Sequence, residues 1–141
     1  MTVVWNVNTM GTGIEEIDAQ HRELIARYNR FYDAIMNSAG RGHLLELLGF
    51  LASYANRHFP DEEDLMAAHR CRAAGPNMLA HQAFIEMISR IGDQLRDRAA
   101  TILDAVEVET ALASWLRTHF CTVDITLRTT APSEFHREKS A

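Results

Sequence analysis

Six polar side chains stand at positions where the pattern of the sequence otherwise places an apolar core. They are four histidines and two carboxylates: His21, His58, Glu62, His81, His119 and Asp124. A carboxylate buried without a partner is strongly unfavourable. Two carboxylates and four imidazoles in one core therefore need a shared partner that satisfies them all. Imidazoles and carboxylates inside a helix bundle are the ligand set of dinuclear iron or manganese sites. The pattern therefore predicts a metal centre.

Each of these residues, taken singly, has a purely structural alternative. A lone histidine in a core seam is typically a hydrogen-bonded core residue, and a His/Glu pair four residues apart, such as His58 and Glu62, also occurs on solvated surfaces. His119 and Asp124 are five residues apart, about 140° around an ideal helix. A π-bulge or side-chain reach has to close that gap before one metal can contact both. The occurrence of all six residues at core positions of four helices favours a metal centre over these structural alternatives.

The other histidines and the two cysteines are interpreted as solvated or ordinary packing residues outside this centre. They are His43, His69, His136, Cys71 and Cys121.

Apolar residues that recur every three or four positions predict four helices that position these side chains. The first spans about 17–38 and the second about 43–69, with a glycine-containing turn between them. Gly75-Pro76 marks the next connection, the third seam runs from Met78 to Leu95, and the ridges of the fourth begin at Leu112. Short connections make successive helices antiparallel. We expect an all-α, up-down-up-down antiparallel four-helix bundle.

The bundle is predicted over about 17–128 of a single domain, 1–141. An irregular N-terminal arm precedes it, in which Trp5 covers one bundle end, and a polar tail follows at 129–141. The length of 141 residues suits one domain with a single core.

Composition excludes several classes of protein. Hydrophobic residues make up 47% of the chain and charged residues 23%, which is typical of a compact globular domain rather than a disordered one. A net charge of −5 with scattered basic residues disfavours a nucleic-acid partner. No apolar run is long enough for a membrane span, no signal peptide is recognisable, and two cysteines suit a reducing compartment. We therefore expect a cytoplasmic protein without a membrane or nucleic-acid partner, and no protein partner can be named.

Several segments of the chain resemble bacterial hemerythrins, and the similarity runs from Trp5 to about Leu127. The segments are Trp5-Asn6, Ile17-Asp18-Ala19-Gln20-His21, His58-Phe59-Pro60-Asp61-Glu62-Glu63, His81-Gln82-Ala83-Phe84 and Trp115-Leu116-Arg117-Thr118-His119, with Asp124 following. The resemblance implies a non-haem, oxo- or hydroxo-bridged di-iron centre that binds dioxygen reversibly for storage, delivery (oxygen transport) or sensing, rather than an enzyme.

The resemblance also implies a role for each candidate residue. Glu62 and Asp124 would bridge the two irons. His21 and His58 would ligate the iron that receives dioxygen, and His81 and His119 the other iron. The apolar residues that match the oxygen pocket of the family are Trp115, Leu116 and Phe120, which also suit ordinary core packing.

One position departs from the family pattern. Hemerythrins carry a fifth histidine four residues before the one that matches His81, and this chain has Asn77 there. An asparagine offers only a weak neutral carbonyl oxygen on a shorter side chain, so the second iron would gain a water or an open position. Weaker retention of that metal, a one-iron form and faster autoxidation are then expected. The structural alternative is that Asn77 caps the third helix.

Two other functions stay open on the sequence alone. An open position at both irons suits an enzyme that reduces peroxide or handles nitric oxide, because a substrate could bridge the metals. A site with one metal suits a binding module in which the ion only holds the bundle together.

Overall fold

The computed structural model describes residues 2–124, with side chains for residues 2–121. The side chain of Asp124, the predicted end of the bundle near Leu127 and the predicted polar tail at 129–141 lie outside the described residues. Four elements come first: α1 (Val7–Met10), α2 (Glu15–Met36), α3 (Arg41–Ala68) and α4 (Ala74–Asp97). The last long helix consists of α5 (Ile102–Val108), a first π segment (Glu109–Ala113), α6 (Ser114–Thr118) and a second π segment (His119–Asp124).

The helices form the predicted antiparallel four-helix bundle. Helix α2 packs against α3, α3 packs against α4, and the last helix contacts both α2 and α4. No strand occurs among the described residues, and no helix of residues 2–124 is both long and apolar enough to cross a membrane. The all-α prediction is confirmed.

Helices α2 and α3 both end in a left-handed residue, which sets their C-termini. Ser38 has φ of 58° and Arg70 has φ of 51°. The next backbone N–H then reaches back to the helix, from Ala39 to the carbonyl of Ala34 and from Cys71 to that of Met66. These 6→1 bonds define the Schellman motif and satisfy carbonyls that the helix end leaves unpaired. The first two helices therefore end one or two residues before the predicted limits.

The last helix begins about ten residues before the first ridge residue that the sequence pattern identified, Leu112. Its first turns carry the apolar residues Ile102, Leu103 and Val106 on the outside, where they are more than half exposed. Exposed apolar residues obscure the helical period of a buried seam. The pattern therefore indicated only the later, buried part of this helix.

The N-terminal arm is more regular than predicted and is fastened to the bundle. It contains the short helix α1, which Asn6 caps by accepting a hydrogen bond from the N–H of Asn8. The amide of Asn29 on α2 bonds to both the N–H and the C=O of Val3, each at 2.8 Å. Trp5 is thereby held half-buried against the core.

Two apolar clusters of unequal size fill the bundle. The smaller one joins Ile14, Ile17, Met66 and Cys71 near the α3–α4 connection, and the larger one occupies the rest of the interior. The buried polar residues His21 on α2 and Glu62 on α3 lie between the two clusters. The candidate site therefore occupies an off-centre layer toward one end of the bundle.

Candidate metal centre

The described histidines and the carboxylate predicted to bind metal all lie in one layer of the bundle. His21 lies in the second turn of α2, His58 and Glu62 lie in the last third of α3, His81 lies in the second turn of α4, and His119 begins the second π segment. Alternating chain direction puts the start of one helix beside the end of the next, so the four helices contribute at the same level. All five residues are at least 97% buried.

The Glu62 carboxylate lies between two pairs of imidazoles. Its Oε2 is 2.7 Å from Nε2 of His21 and 2.9 Å from Nε2 of His58. Its Oε1 is 3.3 Å from Nε2 of His81 and 3.5 Å from Nε2 of His119. Each carboxylate oxygen thus faces its own pair of nitrogens, which is the arrangement of a carboxylate that bridges two ions.

These atoms form two candidate metal positions. His21, His58 and Glu62 have ligand atoms within 4.8 Å of one another, and so do Glu62, His81 and His119. The first position consists of the first group and the second position of the second. Two imidazole nitrogens and one carboxylate oxygen are the donors that non-haem iron accepts, with room for further ligands.

The histidines keep Glu62 ionised although it is fully buried. Burial by itself raises the pKa of a carboxyl group, but hydrogen bonds with His119, His21, His58 and His81 outweigh it and hold the pKa of Glu62 well below its usual range. An anionic oxygen is the form that binds a cation. The electrostatics of the layer therefore suit a positively charged ligand.

The ring of His58 is oriented by a residue outside the layer. Its Nδ1 lies 2.6 Å from Oε1 of Gln20, and the amide nitrogen of Gln20 lies 3.4 Å from Asp61. Because an amide oxygen only accepts, Nδ1 donates to it, and this contact orients the ring so that Nε2 faces Glu62. Sequence reasoning included Gln20 in a motif without giving it a role.

Aromatic rings stack on the histidines and fix their planes. Phe120 stacks on His21 with centroids 4.4 Å apart, and Trp115 stacks on His119 at 4.3 Å. Leu116 and Phe120 are fully buried, whereas Trp115 is half-buried and donates from its indole to the carbonyl of Ala80.

Two further aromatic residues lie close to the histidine rings. Phe59, which sequence reasoning did not single out, lies parallel to His81 at 3.8 Å. Trp5 comes within 6.5 Å of the His21 ring, so the predicted cover at one end of the bundle lies at the end that carries the site.

Asn77 is buried inside α4 and does not cap it. The cap position is Ala73, Asn77 is the fourth helical residue, and its backbone N–H bonds to the carbonyl of Ala73. Pro76 is accommodated because the first turn needs no N–H from it, so the helix begins before the predicted Gly75-Pro76 boundary. The capping alternative is therefore wrong.

The side chain of Asn77 faces the interior one turn before His81. It is fully buried, and neither its amide nitrogen nor its oxygen has a hydrogen-bond partner among the described residues. The seam residue at this level is Asn77, and Met78, which the pattern suggested, is 47% exposed. A buried amide with both polar atoms unpaired is costly, and such a position suits contact with a bound ligand.

A π segment, one of the two features that could close the gap between His119 and Asp124, is present in the backbone. The backbone from His119 to Asp124 is π-helical, and i→i+5 bonding brings residues five apart closer to the same helix face. This backbone geometry agrees with the expectation for the pair, while the side chain of Asp124 lies beyond the described part of the chain.

Comparison with known proteins gives relatives that match these features. The family profile described as Hemerythrin HHE cation binding domain matches residues 12–127. A bacteriohemerythrin of Stenotrophomonas maltophilia is 29% identical over 117 residues, covering 83% of this chain and 73% of the relative. One from Pseudomonas aeruginosa is 29% identical over 119 residues with the same coverage.

Solved structures agree in fold. A wild-type hemerythrin crystal structure superposes with a TM-score of 0.78 at 17% identity, covering 92% of this chain and 98% of that one. Since the family profile spans most of the sequence and includes all five described residues of the layer, the chain belongs to the hemerythrin HHE cation-binding family.

Proposed function

We propose that this protein is a non-haem di-iron protein that binds dioxygen reversibly, for storage, delivery or sensing. The observation that carries the proposal is the Glu62 carboxylate, each of whose oxygens faces a separate pair of histidine nitrogens. The cation-binding description of the family agrees with a binding protein rather than an enzyme.

The described residues fit two iron ions. His21 and His58 with Oε2 of Glu62 would hold the first ion, and His81 and His119 with Oε1 would hold the second. Asp124 is proposed as the second bridge, since it closes the π segment that begins at His119. The irons would supply the redox chemistry that dioxygen binding needs.

The protein contributes a dry, rigid surrounding to this chemistry. Phe120, Leu116 and Trp115 are proposed as the walls of the dioxygen pocket, and Phe120 and Trp115 stack directly on ligand imidazoles. These apolar walls would exclude water and protons from the pocket.

Asn77 is proposed to face the second iron in place of a histidine. Its buried and unpaired amide supports this placement. With two imidazoles at each position, the second iron would have one nitrogen donor fewer than the family pattern provides, and a water or an open coordination position would take its place.

The test is an absorption spectrum of iron-quantified protein under air and again after argon. Two irons per chain and a visible charge-transfer band that disappears and returns with the gas are expected. His58→Ala should remove the band and lower the iron content, because it deletes a donor of the first position. His43→Ala is the matched control, since His43 is an exposed histidine of the same helix.

Three outcomes would contradict the proposal. About one iron per chain without a gas-dependent band would indicate the binding module with a single metal. Peroxide turnover well above that of free iron would indicate an enzyme. An identical band in His58→Ala and wild type would exclude this site as the source of the colour.

A further inference from the structure

An open groove between α3 and α4 leads from the surface to the outer edge of His81. Its walls include Phe59 and Ile85, its rim carries the carboxylates of Glu63 and Glu86, and it has a volume of about 340 Å³. His81 is only 3% exposed, so the groove ends at this ring. Of the histidines in the two metal positions, His81 is the one that lines it.

The two ring nitrogens of His81 have different surroundings. Nε2 faces the interior, 3.3 Å from Oε1 of Glu62 and 3.2 Å from Nε2 of His119. Nδ1 faces outward, is buried, and has no hydrogen bond to any described residue. The nearest acceptor given for it is Oε2 of Glu63, at 3.5 Å.

The ring of His81 cannot easily turn to find another partner. Phe59 lies against it with centroids 3.8 Å apart and planes only 2° from parallel. The Glu63 side chain, in contrast, is 24% exposed and borders the groove, so it has room to move. A small rotation of Glu63 would bring its Oε2 within hydrogen-bond distance of Nδ1.

At the first metal position, the outer ring nitrogen of a histidine likewise faces a side chain, but that side chain is neutral. There, Nδ1 of His58 bonds to the amide oxygen of Gln20. A carboxylate that accepts from a ligand imidazole fixes the tautomer as an amide does, and it also makes the imidazole a stronger donor. The position with the charged partner is the one that has Asn77 in place of an additional histidine.

We propose that Glu63 is a positioning residue that accepts a hydrogen bond from Nδ1–H of His81 and thereby strengthens metal binding at the second position. This inference rests on the proposed function. It explains how a position with one imidazole fewer keeps its ion: the negative charge of Glu63 raises the donor strength of His81 and offsets part of the lost ligand.

The test compares Glu63→Gln, Glu63→Ala and Glu86→Gln in anaerobic titrations with Fe(II) against a competing chelator. Glu86→Gln is the matched control, because it removes the same charge from the rim of the same groove at an exposed position. Glu63→Ala should weaken binding of the second iron by about tenfold or more. Glu63→Gln, which retains an acceptor but loses the charge, should lie between Glu63→Ala and wild type.

A second readout reports on the hydrogen bond itself. In Zn(II)-loaded protein, ¹⁵N NMR of the imidazoles should show His81 protonated at Nδ1 in wild type and a changed Nδ1 signal in Glu63→Ala, with His58 unaffected. Thermal melting of the metal-free proteins checks that the variants remain folded.

The outcomes separate the inference from the function on which it rests. If wild type fails to bind two irons, the proposed function fails. If wild type binds two irons while all three variants bind alike, or if the His81 signal is the same in Glu63→Ala as in wild type, Glu63 has no positioning role and the inference is overturned.

Discussion

At the scale of single residues, the centre is defined by polar groups that no apolar neighbour could satisfy. Glu62 contacts four imidazoles from its two oxygens, while Asn77 is buried at the same end of the bundle with its amide unpaired among the described residues. Removing one partner from such a set leaves the others buried without compensation. Changes at these positions should therefore affect both metal binding and the stability of the metal-free bundle.

Replacing Asn77 with histidine should restore a nitrogen donor. Position 77 is buried and lies four residues before His81 on the same face of α4. We expect Asn77→His to bind the second iron more tightly against a competing chelator and to slow the aerobic decay of the visible band, measured by anaerobic Fe(II) titration and timed spectra. Met78→His, one residue away and half-exposed, is the control. Equal affinity for the second iron and equal decay in Asn77→His and wild type would mean that position 77 does not reach the metals.

At the scale of elements, the last helix depends on its first turn. Asp104 accepts two hydrogen bonds from the guanidinium of Arg98, each at 2.8 Å, and one from the backbone N–H of Thr101 at 2.6 Å. These contacts tie the α4–α5 connection to the helix start. The Arg98 hydrogen bonds, assisted by Thr101, hold the pKa of Asp104 below its ordinary value against the opposing effect of burial.

Removing this carboxylate should destabilise the bundle in a pH-dependent way. Asp104→Ala should lower the free energy of unfolding by about 1 kcal/mol near neutral pH, the usual cost of losing a helix cap. Because the pKa is lower in the folded state, the stabilisation is complete above the unfolded value of about 3.9 and is lost as pH falls through the folded value.

Urea unfolding of wild type and Asp104→Ala at neutral and acidic pH measures this difference. Asp93→Ala serves as control, since Asp93 pairs with Arg96 on the exposed surface and should change stability little. A difference between wild type and Asp104→Ala that stays constant as the pH falls below 3.9 would contradict the predicted linkage.

At the scale of the whole molecule, the bundle has a polar layer between two apolar clusters. The larger cluster fills most of the interior and the smaller one closes the end near the α3–α4 connection. The two candidate metal positions together take ligands from all four helices and share Glu62, so ions bound at both would link the whole bundle. Metal binding should therefore be coupled to global stability rather than to one helix.

Metal loading should raise the melting temperature of the protein. At free metal of about 100 times the dissociation constant, binding to the folded state alone adds about 2.7 kcal/mol, which corresponds to roughly 5–10 °C for a domain of this size. Calorimetry of Fe(II)-loaded and chelator-treated protein under argon measures the shift. His21→Ala should reduce the shift because it removes a donor of the first position, and His43→Ala should leave it intact. Equal melting of loaded and metal-free wild type would show that the layer does not hold the ions.

The sequence alone was sufficient for much of this description, because periodicity and residue type are local properties. Four amphipathic seams determined the bundle, and the polar residues within them identified the layer of His21, His58, Glu62, His81 and His119. The five-residue spacing of His119 and Asp124 left a π-bulge and side-chain reach as alternatives, and only the structure shows the π segment in the backbone. A buried polar group is conspicuous within an apolar seam, and no coordinates are needed to see it.

Tertiary structure decided what depends on contacts between helices. Only the packed bundle shows that Glu62 divides the histidines into two pairs, that Asn77 is buried inside α4 rather than at its cap, and that Glu63 approaches His81. Sequence spacing determines which face of a helix a residue occupies, but not its rotation against a neighbouring helix or the distance between atoms of different helices. Those quantities follow from the packing of all four helices together. They decide whether the histidines lie close enough to one another to share a metal ion.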